Sequence, residues 1–342
     1  MKKLWYVPIL ALALLTTATG FAQTTFESTL GRSADVEYPW FTWDGQQLET
    51  GQYLLVSGTK AYTGLRSGIL LNRLKSTGTT ESVSGLIYSE SGNMNLEPHS
   101  IDFNPQAVSG EIHLYIGGSI QPAGSNNRAL LVRTLASGTL RDGGGYYQTP
   151  MSSSHSENIM AVERLANFDI AVAGTTGMPE SGGGIRQIFF AARFSKAPST
   201  RKWAYRYTLP ASSTKNYVVK ETCIGKVLLS GGTTETEVLA ITGSMYDKAT
   251  PGNKHTFFCC INLTDGSVLW TNIVNSGLGL DEGMDIAQNP YSRDFLIVGY
   301  AAGAGALTTT KRMWVCKFDQ TGAFQGGGLH TLTTANDLDF VA

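Results

Sequence analysis

Charged side chains recur at two points of the sequence, where they could bind an ion or an anionic ligand. Acids precede a short apolar run in four places, and bases precede a later apolar run in five. Carboxylates from separate segments can coordinate a cation or work as a general acid and base pair. The acids are Glu97, Glu157, Glu282 and Asp337, and the bases are Arg66, Arg128, Arg186, Lys254 and Lys311.

These charges also have a purely structural interpretation, in which the acids accept backbone N–H bonds and the bases are solvated loop ends. Calcium needs about six oxygen ligands at one point, and the sequence has no Asp-rich loop to supply them. We therefore predict no cofactor and no metal site, with calcium an alternative that no motif supports.

Two tyrosines near the same segments could stack on sugar rings. Tyr62 and Tyr246 each follow a glycine-ended apolar run. The alternative is that they pack between structural units with their hydroxyl groups in water.

Recognisable catalytic motifs are absent from the sequence. The five histidines have no zinc-ligand spacing, and no G-x-S-x-G nucleophile motif occurs. This absence favours binding over catalysis, although acids from distant segments could still meet as a hydrolytic pair.

Adjacent cysteines occur in the string "CCINLTDGSVLW", which begins at Cys259. Neighbouring side chains of a strand point to opposite faces, so we predict that Cys259 and Cys260 are two buried thiols. Cys316 is predicted to be the equivalent of Cys260 in the next repeat.

A repeating unit must position these residues. Each copy has an apolar run ending in glycine, preceded by one short strand and followed by two more. The five glycine-ended runs are "YLLVSGT", "IHLYIGGS", "DIAVAGTT", "VLAITGS" and "FLIVGYA", ending at Gly58, Gly118, Gly174, Gly243 and Gly299.

The repeat predicts an all-β fold, a β-propeller of four-stranded antiparallel blades, because sheets stacked around an axis cover each other's faces. Five blades are visible, with the first strand of a sixth at the end of the sequence. The segments joining the second and third strands are predicted to be long loops on one face. The predicted blades span about 36–95, 96–154, 155–213, 214–280 and 281–334, and residues 335–342 would begin a further blade or close the ring.

The strings "DEGMDIAQ", "DFLIVGY" and "MWVCKFDQTG" resemble the repeats of exported bacterial propellers, and the N-terminal "GFAQ" is similar to the signal segments of Bacteroidota exported proteins. This resemblance implies the fold and export, and it implies little about activity. The cysteine string also resembles one repeat of quinone-cofactor propellers, which implies a vicinal disulfide at Cys259 and Cys260. Occurrence in a single repeat argues against that interpretation.

The first 22 residues read as a signal peptide, with Lys2 and Lys3 before an apolar stretch. Residues 23–342 would then form one exported domain, secreted, at the cell surface or in the periplasm. With 26 basic and 27 acidic residues, the chain has no charge excess that would favour nucleic acid.

Together these features predict a non-catalytic binding scaffold whose ligand is a glycan or a protein held on the long-loop face. The first alternative is a carbohydrate-active enzyme, a glycoside hydrolase or lyase with acids at the mouth of the central channel. The second is a structural module of a longer adhesin.

Overall fold

The computed structural model describes the chain between residues 42 and 330. Within that span the description omits residues 48–50, 61–66, 78, 80–84, 90–93, 104–111, 123–124, 138, 140–154, 181–182, 196–199, 209, 211–212, 230–233 and 304–311.

The described residues form strands and turns and no helix. None of them therefore forms a helix long and apolar enough to cross a membrane. The strands are β1 (Thr42–Gln47), β2 (Tyr53–Lys60), β3 (Ser67–Leu74), β4 (Gly85–Ser89), β5 (Met94–Phe103), β6 (His113–Pro122), β7 (Arg128–Leu135), β8 (Glu157–Arg164), β9 (Ile170–Pro179), β10 (Ile185–Phe194), β11 (Arg201–Arg206), β12 (Lys215–Leu228), β13 (Glu235–Asp247), β14 (Thr250–Asn262), β15 (Val268–Val274), β16 (Gly279–Gln288), β17 (Phe295–Gly303), β18 (Arg312–Phe318) and β19 (Phe324–His330).

Antiparallel pairing groups these strands into successive sheets in chain order. The first sheet is β1–β4, the second is β5–β7 and the third is β8–β11. The fourth is β12–β15 and the fifth is β16–β19, and one parallel bridge between Lys254 and Leu280 joins them. Each sheet is a meander, so its first strand forms one edge, which we call the inner strand.

Consecutive sheets pack face to face through apolar clusters. One cluster lies between the first and second sheets, and others fill the next three interfaces. Between the third and fourth sheets, Phe189 stacks on Phe257 with ring centroids 5.4 Å apart. Between the fourth and fifth, Phe258 lies 4.7 Å from Phe318. This serial burial of sheet faces is the packing of a β-propeller.

The inner strands of four sheets contain a β-bulge. In each, one residue is skipped in the pairing with the second strand, and a bulge re-aims the side chain that it frees. The skipped residues are His99 in β5, Met160 in β8, Lys220 in β12 and Met284 in β16.

The recurring glycine of the second strand in these four sheets makes room for this bulge. It pairs with the residue just before the skipped one, as Gly299 does with Gly283. A Cβ atom on the glycine would overlap the backbone carbonyl oxygen of the inner strand two residues before the bulge. The glycine and carbonyl pairs are Gly118 with Glu97, Gly174 with Asn158, Gly243 with Val218 and Gly299 with Glu282.

Tryptophans on the fourth strands join neighbouring sheets. The Trp203 indole N–H donates to the carbonyl oxygen of Leu263 at 2.9 Å, and its ring packs against the turn at Gly266. Trp270 packs in the same way against the turn at Gly322 in the fifth sheet. Both turn glycines have φ near +80°, a conformation that favours glycine.

Replacing Trp203 by phenylalanine is expected to lower the free energy of unfolding by about 1 to 2 kcal/mol, because one hydrogen bond and part of the packing are lost. Urea denaturation measures the change. The control Tyr291→Phe, at a side chain that is 95% exposed, should leave the midpoint unchanged. Equal midpoints for Trp203→Phe and the wild type would show that the contact of Trp203 with Leu263 and Gly266 does not stabilise the protein.

The predicted long loops are mostly strand, which corrects that expectation. In the fourth sheet, pairing continues to Asp247 and Thr250, so two residues remain in the turn. In the third sheet, pairing continues to Pro179 and Ile185. Hairpin hydrogen bonds satisfy the backbone there, and polar residues in these segments do not prevent strand pairing. The corresponding segments of the first and fifth sheets fall largely outside the described residues.

Candidate functional site

The bulged inner strands bring titratable groups from different sheets together. His99 belongs to the second sheet and Lys220 to the fourth, with the third sheet between them. The ammonium group of Lys220 nevertheless helps to lower the pKa of His99. Two side chains from non-neighbouring blades can interact in this way when both approach the propeller axis. We call the group formed by His99, Lys220, Lys254 and Glu282 the axial site, and Glu97 lies two residues before His99 on β5.

His99 is neutral at physiological pH. Burial, with a smaller contribution from the charge of Lys220, lowers the pKa of His99 to about 4. A neutral imidazole can donate one hydrogen bond and accept another. His99 is therefore suited to hold a hydroxyl group.

Glu282 is the carboxylate of the axial site with defined partners. Its side chain is 5% exposed, and Lys254 forms a close ion pair with it. The Lys220 ammonium nitrogen lies 4.0 Å from its other oxygen. The Glu282 carboxylate is thus held in place by two cations from the neighbouring sheet.

Glu97 occupies the matching place in the second sheet. Both Glu97 and Glu282 lie two residues before the bulge residue of their strands. Burial raises the pKa of Glu97 above its ordinary value. The Glu97 carboxyl group is thus shielded from water, whereas two ammonium groups lie against the Glu282 carboxylate.

Carboxylates also follow the bulges, towards the other end of the inner strands. Burial, together with the charges of Glu163, Asp285 and Glu221, raises the pKa of the Cys223 thiol. The Glu163 carboxylate accepts a hydrogen bond from the Thr222 hydroxyl at 3.1 Å. Acids therefore lie on both sides of the bulges, and the two lysines that pair with Glu282 are at the bulge of β12 and on β14.

The other predicted site residues have varied surroundings. Glu157 is 3% exposed, and its carboxylate accepts a bond from the Thr176 hydroxyl at 3.4 Å. Arg186 is fully buried, and its guanidinium donates to the carbonyl oxygens of Pro210 and Ser213. Arg128 is half-buried at the start of β7. Tyr62, Arg66, Lys311 and Asp337 lie outside the described residues.

Tyr246 lies beside the axial site. The Lys254 ammonium nitrogen is 6.0 Å from the centroid of the Tyr246 ring, and the Tyr246 hydroxyl donates to Gln187 at 3.5 Å. The ring is half-buried, which leaves part of it open to a ligand.

Sequence reasoning missed His99 and Lys220. Both are bulge residues, and residue type gives no signal because the equivalent positions carry His, Met, Lys and Met. The signal that could have found them is register, since each follows the residue that pairs with the recurring glycine.

Within the part of the chain that the structure describes, no group of three or more His, Cys, Asp or Glu side chains is arranged to hold a metal ion. The axial lysines also place positive charge where a cation would have to bind.

The four cysteines are free thiols. Cys259 packs in the cluster between the third and fourth sheets, and Cys260 packs in the cluster between the fourth and fifth. Cys316 lies opposite Ile297, two residues before Gly299, just as Cys259 lies opposite Ile241, two before Gly243. Cys316 is therefore equivalent to Cys259, and the predicted equivalence with Cys260 was off by one residue.

Alkylation of the native protein by iodoacetamide at pH 8 is expected to leave Cys259 and Cys260 unmodified. Burial raises the pKa of Cys259 to about 12 and that of Cys260 well above its ordinary value, so the reactive thiolate is scarce. Mass spectrometry should show modification of both only after denaturation. A native mass two hydrogens short, with the thiols unreactive in denaturant, would instead indicate the vicinal disulfide.

No family model and no curated protein sequence matches the chain. Among solved structures, it is similar to an endo-arabinase from Bacteroides thetaiotaomicron, with 15% identity and a TM-score of 0.41 over 78% of this chain and 89% of that one. It is similar to a protein of unknown function from Dyadobacter fermentans, with 11% identity and a TM-score of 0.46 over 84% of this chain and 91% of that one. A third is an α-L-arabinanase from Penicillium chrysogenum solved with arabinobiose, with 13% identity and a TM-score of 0.42 over 81% of this chain and 76% of that one.

This comparison corrects the expectation of a non-catalytic binding scaffold. Two of these three structures are an endo-arabinase and an α-L-arabinanase, and the carbohydrate-active alternative is taken up below as a proposal. At identities of 11% to 15% the likeness does not extend to individual residues. The roles of the axial side chains therefore depend on this chain's own geometry.

Proposed function

We propose that this β-propeller is a carbohydrate-active enzyme, a glycoside hydrolase working at the axial site. One observation carries the proposal: Lys220 interacts with His99 across the third sheet and pairs, together with Lys254, with the Glu282 carboxylate, and a second carboxyl group, Glu97, lies two residues from His99 on β5. Acid and base roles in one site are commonly divided between groups with such unlike environments.

Hydrolysis of a glycosidic bond adds water across it and needs two carboxyl groups with separate roles. One gives a proton to the departing oxygen, and the other activates water or attacks the sugar. Glu97 suits the first role, because burial raises its pKa and favours the protonated form. Glu282 suits the second, because its two carboxylate oxygens are held by the ammonium groups of Lys254 and Lys220.

Hydrolysis fits the axial site better than elimination by a lyase. A lyase would need a strong base near the sugar. In the axial site, the neutral imidazole of His99 is the candidate for that base. With a pKa of about 4 it is a weak proton acceptor. His99 is better suited to orient a sugar hydroxyl than to remove a proton from carbon.

Turnover of glycans tests the proposal. The purified protein would be incubated with a panel of neutral and acidic plant and bacterial polysaccharides, and new reducing ends would be measured. We expect release from at least one glycan by the wild type and none by the Glu97→Gln/Glu282→Gln double variant. Equal release by both, or release from none of the panel, would overturn the proposal.

We also propose that the protein is exported and that residues 23–342 form a single propeller domain with the blade limits given above. The lysines and apolar stretch of residues 1–22 support export. N-terminal sequencing of the protein secreted by its host should begin at Gln23, whereas a retained Met1 would refute export. Limited proteolysis should leave one core fragment, and two stable fragments would refute the single domain.

A further inference from the structure

The solvent-exposed groups of the axial site are positively charged. The Lys254 and Lys220 side chains are 30% and 31% exposed, whereas the Glu282 side chain between them is 5% exposed. A ligand approaching from solvent therefore meets two ammonium groups before it meets the carboxylate. Two positive charges share one negative charge, which leaves a surplus of one positive charge.

The nearby titratable groups do not remove this surplus at neutral pH. His99 is uncharged, because burial and the charge of Lys220 lower its pKa to about 4. Burial raises the pKa of Glu97, which opposes its ionisation. The side chains of Glu163, Glu221 and Asp285 follow the bulges, and their charges act on the Cys223 thiol.

Tyr246 adds an apolar surface beside the same charges. Its ring lies 6.0 Å from the Lys254 ammonium nitrogen. A sugar ring could stack on the aromatic face while a charged substituent of that sugar reaches the lysines. A flat ring next to a cation suits a sugar that carries its own carboxylate.

We propose that the axial site recognises an acidic sugar, a uronic acid unit whose carboxylate lies between Lys220 and Lys254. This inference rests on the proposed glycan-directed function and names its substrate class.

Calorimetric titration with matched sugars tests the inference. The probes are trimers of galacturonate, glucuronate and mannuronate, each compared with its carboxyl-reduced, neutral counterpart. We expect at least one acidic trimer to bind about tenfold or more tightly than its reduced form, because charge-assisted bonds to the lysines are lost on reduction. Failure of all three to bind, or equal affinity for the reduced forms, would overturn the inference.

Lysine variants test whether the preference for acidic trimers arises at the axial site. Lys220→Met should abolish the preference for the acidic trimer, and the control Lys226→Met, an exposed lysine on the same strand, should keep it. Removing Lys254 alone could destabilise the protein by leaving Glu282 with one partner. The double variant Lys254→Met/Glu282→Gln removes both charges and should also lose the preference. An equal effect of Lys226→Met would show non-specific attraction and contradict the site.

The two proposals fail in different ways. Cleavage of a neutral glycan without any preference for acidic trimers would overturn the inference and leave the hydrolase. Tight binding of an acidic trimer without turnover would overturn the hydrolase and leave the binding site. Glu282→Gln separates them further, because it should reduce turnover while the acidic trimer binds at least as tightly to the freed lysines.

Discussion

Replacing Gly299 by alanine is expected to lower the free energy of unfolding by more than about 3 kcal/mol, beyond the usual cost of overpacking. The new Cβ atom would overlap the carbonyl oxygen of Glu282, which belongs to the backbone and cannot turn away as a side chain can. The strands would have to separate, with loss of ladder hydrogen bonds in the fifth sheet. Chemical denaturation of the purified variant measures the loss.

The Gly299→Ala substitution should also disturb the axial site, because Gly299 leaves room for the bulge in β16, and this bulge sets the direction of the strand that carries Glu282. Gly299 pairs with Gly283, next to both Glu282 and the bulge residue Met284. Gly252→Ala is the matched control, since nothing lies within 4 Å of a Cβ atom added there. If both variants unfold at the same denaturant concentration as the wild type, the glycine does not have the role given to it here.

Replacing Glu97 by glutamine is expected to reduce glycan turnover by about 100-fold to 10,000-fold, the usual contribution of a general acid. Glutamine keeps the shape of the side chain and removes its transferable proton. The loss should appear in kcat, with a smaller change in KM, because the proton transfer occurs in the transition state. Glu237→Gln is the control, because this exposed glutamate lies near the start of β13, distant in register from the bulge.

The pH dependence of glycan turnover also tests the role of Glu97 as a general acid. A general acid works in its protonated form, and burial raises the pKa of Glu97. Turnover should therefore persist above the ordinary range of a glutamic acid and fall as the pH rises through the raised pKa. Residual activity of Glu97→Gln should lack this alkaline fall. An unchanged pH profile in the variant would show that another group provides the proton.

Burial of Glu97 also makes the stability of the folded protein depend on pH. Because the folded pKa of Glu97 is above its unfolded value, the folded protein keeps this proton to a higher pH than the unfolded chain does. The protonated carboxyl is compatible with its buried position, and ionisation on raising the pH costs stability. Stability should accordingly decrease as the pH rises through the raised pKa, and less so in Glu97→Gln.

The sequence predicted the sheets well because strand patterns and glycine positions are local. Each glycine-ended run is a second strand, as Phe295–Gly303 shows around Gly299. The alternation of Cys259 and Cys260 between two clusters was also predictable, since side chains of a strand alternate.

The axial site was only partly predictable, because bulges depend on pairing between strands. The spacing from bulge residue to glycine varies from 14 residues, Met160 to Gly174, to 23, Lys220 to Gly243. No fixed offset therefore identifies His99 or Lys220. Glu97 and Glu282 were found because acids precede the apolar run of each inner strand. The pairing of Glu282 with Lys220 and Lys254 depends on contacts between sheets, which the sequence does not show.

The central claim is that side chains of non-neighbouring blades meet at the axis, and nuclear magnetic resonance titration of His99 tests it most directly. The His99→Gln variant would assign the signal among the five histidines. We expect the imidazole to titrate with a pKa of about 4 and to shift upwards in Lys220→Met, while staying below its ordinary value because burial remains. An imidazole that titrates near the ordinary histidine value and ignores the loss of Lys220 would show that the two side chains do not meet, and the axial site would be refuted.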